Sequence, residues 1–217
     1  MTAPHPFPYV PNTLYLLLLD RGDTATFHWA LYLSPANTNT NNINGDNDEN
    51  LNLTTNNNTS APAGTIHHLV DTPTSTTCTP TPTPAPKTWT YITAVDTDPS
   101  PNNLSRSDGL FLAHPLSPVD PSLIPALTQR LSEIPIAYSK RFREEINCVV
   151  WVYEALILLE EEGFVDLGLG AESGDGDEEW ANAVRGVGER ATMAAMVNQV
   201  HGRRGVGAGV VVGSELG

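Results

Sequence analysis

Cysteine and positive charge are both scarce in this chain. Two cysteines in 217 residues, Cys78 and Cys148, do not make a disulfide framework, so cross-links are not expected to hold the fold. Eleven Lys and Arg residues face 25 Asp and Glu residues, a formal net charge of −14. A surface so short of cations repels phosphate backbones, and nucleic acid is excluded as an expected partner. Long apolar runs are missing as well. Leu14–Leu19 is closed by Asp20-Arg21-Gly22 and falls well short of the ~20 residues a bilayer span needs. Gly205–Gly213 is apolar but short and Gly-rich, so no stable membrane anchor is expected. The opening Met1–Pro11 lacks the basic start and apolar stretch of a secretory leader. The expectation is a reducing, cytoplasmic setting, in which the sequons at Asn52, Asn57, Asn58 and Asn103 stay unmodified.

Two tracts are too poor in large apolar side chains to offset the entropy of ordering them. Residues 36–63 are dominated by Asn and Thr and are expected to form a disordered insertion; residues 72–87, rich in Thr and Pro, should form a loop. Residues 203–217 read as a Gly-rich tail. What is left supports one domain over residues 12–202. The acidic run from Glu160 to Glu179 reads as a solvated helix end followed by a flexible linker.

Apolar continuity predicts a buried strand over Thr13–Leu19, and alternation predicts a second over Thr26–Leu33, with His28 on the face opposite Trp29. Gly64–Val70 reads as the partner of the second strand, the Asn/Thr tract lying at the tip of their hairpin, where length is cheap. Trp89–Val95 and Gly109–Leu116 read as further sheet elements. Asp120-Pro121 caps and opens a helix limited by Pro135. Ile146 or Asn147 opens a helix that is apolar around most of its circumference, hence buried, and closed by Gly163. Trp180–Val200 has the spacing of an amphipathic last helix. Strands early and helices late predict an α+β fold.

The chemistry centres on Cys148. A thiol in the first turn of a helix feels the positive end of the macrodipole and unpaired amides, which favour thiolate. His28, held on a strand, is the candidate general base. His67 and His68 project to opposite faces, so one of them, or Asp71, could orient His28. Two adjacent histidines with distant companions lack metal-ligand spacing, so no metal is expected, and no cofactor motif is present. Cys78, His114 and His201 sit in no motif.

Three segments, His28-Trp29-Ala30-Leu31-Tyr32-Leu33, His68-Leu69 and Asn147-Cys148, resemble in kind and order those of the lecithin:retinol acyltransferase-like group of permuted papain-fold enzymes. The chain is also similar to a group of fungal proteins with the same layout. The resemblance implies a circularly permuted papain-like fold, a small antiparallel sheet packed on a buried Cys-bearing helix. It also implies a catalytic set of Cys148 as nucleophile, His28 as base and His68 as orienter. The family continues Asn-Cys-Glu-His-Phe, whereas this chain has Asn147-Cys148-Val149-Val150-Trp151. The expected activity is a cysteine-dependent hydrolase (peptidase, deamidase or esterase-like) acting on an amide, ester or thioester. The alternatives are an inactive papain-fold module that binds a protein or small molecule, and a lipid acyltransferase or phospholipase.

Overall fold

The structure, a computed structural model, describes residues 9–21, 26–36, 64–73, 87–95, 110–169 and 176–201. The Asn/Thr-rich insertion, the interior of the Thr/Pro tract with Cys78, and the Gly-rich tail lie outside the described residues. Among the described residues five strands form one antiparallel sheet: β1 (Thr13–Asp20), β2 (Phe27–Leu33), β3 (Thr65–Pro73), β4 (Lys87–Val95) and β5 (Leu110–Pro118), in the order β4-β3-β2-β1-β5. A 3-10 turn (Pro121–Leu123) leads into α1 (Ile124–Glu133). A short β-ribbon, β6 (Tyr138–Ser139) and β7 (Glu144–Glu145), precedes α2 (Cys148–Glu161), and α3 (Asp177–Val200) follows. The fold is α+β, and the antiparallel sheet packs on a buried helix that begins at Cys148.

Each strand's sequence explains its place. β1 is apolar at every position from Leu14 to Leu19 because it has neighbours on both edges and cover on both faces. Leu14, Leu16 and Leu18 join the core beneath the helices, while Tyr15 and Leu17 join a second cluster on the opposite face. β5 tolerates Pro115 and Pro118 because it is an edge strand. β2 and β3 pair in antiparallel register across residues 34–64, Leu31 opposite His67 and Ala30 opposite His68. β3 reaches Pro73, and β4 starts at Lys87, so both strands extend into the tract read from sequence as a loop; pairing along their whole length supplies backbone hydrogen bonds that the Thr/Pro composition does not advertise.

The helices lie on one face. α2 packs on β2 and β3, and α3 packs on β5, β1 and α2. Eight side chains of α2 are buried, among them Trp151, Val152, Leu156 and Leu159. It ends as its sequence predicts. Gly163 adopts φ +75°, its amide donates to the carbonyl of Glu160, and the amide of Phe164 donates to that of Leu159. α3 approaches α2 closely through Gly188, where a Cβ would lie 2.2 Å from Tyr153 Oη.

Over its described residues the acidic run is not merely solvated, which corrects the reading of the helix end; residues 170–175 of the expected linker lie outside the described residues. Glu160 accepts from the amides of Leu167 and Leu169 at 3.2 and 2.7 Å. Glu162 pairs with Arg130, and Glu161 with Arg141 at 2.8 Å. Arg141, only 17% exposed, also reaches Asp177 at 3.2 Å and Glu154 at 3.7 Å. The stretch after α2 is therefore tied back onto it by carboxylate–amide and carboxylate–guanidinium contacts.

Candidate functional site

Asn147 caps α2 with its side-chain oxygen, which accepts from the amides of Val149 at 2.9 Å and Val150 at 3.1 Å. Cys148 is thereby fixed as the first helical residue, buried to 2% exposure and in no disulfide. Its side chain nonetheless lines an open cavity of about 500 Å³. The cavity's walls come from four elements. Phe27 and Trp29 rise from β2, Trp89 from β4, Asn147, Val149 and Tyr153 from the start of α2, and Thr192 from α3; Arg21, at the end of β1, completes the rim with Thr26. Trp29 and Tyr153 meet edge to face at 5.6 Å, a geometry that aromatic quadrupoles favour.

The histidines fall elsewhere. Successive side chains of a strand point to opposite faces. Phe27, Trp29, Leu31 and Leu33 share the core cluster with Cys148, Trp151 and Val152, whereas Ala30 and Tyr32 belong to the cluster on the far face. His28 lies in register with Ala30 and Tyr32, directly opposite Leu19, which packs on that far cluster. His68 lies opposite Ala30 and meets His28 there, Nδ1 to Nε2 at 2.8 Å, with the rings at 72°. The structure thus brings His28 and His68 together but sets both across the sheet from Cys148, and neither lines the cavity. The expected approach of the thiol to His28 is corrected on this point. The physical reason is hydrophobic: the helix covers the larger apolar surface of β2, and His28 is on the other one.

His67, the neighbour on β3, turns to the helix face. It is fully buried, its Nδ1 is 2.8 Å from Tyr91 Oη, and its ring stacks on Tyr91, which in turn contacts Trp151 at 5.5 Å. His67 therefore does not orient His28, and Asp71 shares its face of β3. Burial lowers the pKa of His28 to about 4, with the charges of His68 and Arg21 acting in the same direction. His67 is lowered to about 4, chiefly by burial and then by His68. His68 is lowered by burial, and His114 by burial and the charge of Arg190. The His28–His68 hydrogen bond therefore joins two neutral rings near pH 7, one N–H donating to the other's bare nitrogen.

Among the described residues no group of three or more His, Cys, Asp or Glu side chains is placed to hold a metal ion, and no helix is long and apolar enough to cross a membrane. The aromatic cavity escaped sequence reasoning. Its residues come from two strands, a turn and two helices, far apart in the chain, so no local pattern joins Trp29 and Trp89 to the Asn147-Cys148 helix start. Comparison with protein-family models, with curated proteins and with solved structures finds nothing that matches this chain.

Proposed function

We propose that this chain is a binding module whose aromatic cavity, at the start of α2, takes a flat, largely apolar small molecule. The observation that carries the reading is the set of four aromatic walls, Phe27, Trp29, Trp89 and Tyr153, around about 500 Å³. That volume falls within the range of small-molecule sites, roughly 300–1,000 Å³. Trp29 is nearly buried and braced by Tyr153, so the wall is in place before any ligand arrives. Equilibrium dialysis with naphthalene-2-methanol tests the reading. Saturable binding is expected, weakened roughly tenfold by Trp89→Ala, which removes one stacking surface and its buried area. Trp89 is only partly buried and lies on an edge strand, so the variant is expected to keep the wild-type circular dichroism. Binding that does not saturate, or that ignores Trp89→Ala, counts against a cavity ligand.

A second reading keeps a thiol hydrolase of permuted papain-like design, acting on an amide, ester or thioester. What supports it is the position of Cys148, at a capped helix start and in the wall of an open cavity. Its base would have to be a group other than His28. Iodoacetamide at pH 7 separates the two readings. The binding reading expects Cys148 to alkylate more slowly than free cysteine, since 2% exposure shields the sulfur, and His28→Ala to leave that rate unchanged. Alkylation faster than free cysteine would restore the hydrolase.

A further inference from the structure

We propose that the ligand of this cavity carries an anionic group, a carboxylate held by Arg21, on an aromatic body that lies against Trp29, Trp89 and Tyr153. The proposal rests on the binding reading above and adds the ligand's charge to it. Among the described residues that line the cavity, Arg21 is the one cation, and the others are apolar or neutral. It is exposed, and no ion pair holds its guanidinium among the described residues. In a chain of net charge −14, an arginine over an aromatic cavity, with no ion-pair partner among the described residues, is a local exception to a field that repels anions. A guanidinium also matches a carboxylate with two parallel N–H donors, which sets orientation as well as affinity.

Asn147 adds to this polarity. Its Oδ1 is committed to the amides of Val149 and Val150, so what it has to offer a ligand is the pair of Nδ2–H donors. The positive end of the α2 dipole lies at the same place. The cavity's polar groups thus favour an acceptor with negative charge, and its walls favour a flat hydrocarbon. Arg21 also acts on His28 through its charge. An anion seated on the guanidinium would offset that charge, so that His28 accepts a proton more readily in the complex.

The experiment compares naphthalene-2-carboxylate with naphthalene-2-methanol, which share one ring system and differ in charge, by equilibrium dialysis on the full chain. The carboxylate is expected to bind the wild type about tenfold tighter, equivalent to ~1.4 kcal/mol. The advantage should disappear in Arg21→Gln and shrink with added salt, while Trp89→Ala weakens both compounds alike. In parallel, the NMR titration of the His28 ring should move to higher pH when the carboxylate saturates the protein. Equal binding of the two compounds, or an advantage that survives Arg21→Gln, overturns the anion proposal and leaves the cavity reading standing. Failure of both compounds to bind overturns the cavity reading, and this proposal with it.

Discussion

Replacing Trp151 by alanine is expected to lower the unfolding free energy by about 3–5 kcal/mol, the loss usual for a large core aromatic. Trp151 is fully buried on α2, where that helix crosses the sheet, and its ring meets Tyr91 of β4 at 5.5 Å. The truncation removes contacts with both layers at once, and the rigid strands beneath leave the site little room to collapse. Trp151→Phe is expected to cost much less. Part of the volume is kept, and the substitution removes an indole N–H that is buried without a partner among the described residues, a donor whose burial is itself unfavourable. Urea titration of the three proteins at pH 7 measures both differences. A loss below 1 kcal/mol for the alanine variant would mean that the helix does not rest on the sheet through this residue.

Acid should weaken the protein before its carboxylates titrate. His67 is buried and neutral, with a folded pKa of about 4 against about 6.5 in an unfolded chain. Below pH 6.5 the unfolded chain takes up a proton that the native ring refuses, so stability falls with pH. The contribution is complete above about pH 6.5, is lost progressively down to about pH 4, and levels off below. For His67 its full size is roughly 3 kcal/mol. His28, also lowered to about 4, acts in the same direction over the same window. The unfolding free energy should therefore drop between pH 7 and pH 5. His67→Leu should flatten that drop, while losing the hydrogen bond to Tyr91 at every pH. An unchanged slope in His67→Leu would show that the buried imidazole is not the acid-sensitive group.

Much of the fold was legible because its signals are long. The unbroken apolar run of β1, the alternation of β2 and the all-round apolar helix with Gly163 behind it span seven or more residues each. The β6–β7 ribbon was not legible, because two-residue strands carry no period. The ends of β3 and β4 were missed because composition spoke for a loop and pairing decided otherwise. The ties of Glu160, Glu161 and Glu162 were missed because a charge run looks the same whether or not arginines fold against it.

The site was read less well, and the reason lies in β2. Alternation correctly separated His28 from Trp29 and left His67, His68 or Asp71 as its partner; the choice of His68, which the structure joins to His28, came from the resemblance. Which face the Cys-bearing helix would cover was taken from resemblance to a family. The residues themselves pointed the other way. Phe27, Trp29, Leu31 and Leu33 present far more apolar area than His28, Ala30 and Tyr32, and a helix as apolar as α2 is driven onto the larger surface.

Tyr153 does two jobs with one ring: it sits in the notch left by Gly188 and it forms a wall of the cavity. Helix docking and ligand choice are therefore not independent traits in this protein. A substitution that fills the notch must also redraw the chamber, and descendants that acquire a new ligand by reshaping that wall will have to renegotiate the contact between their last two helices.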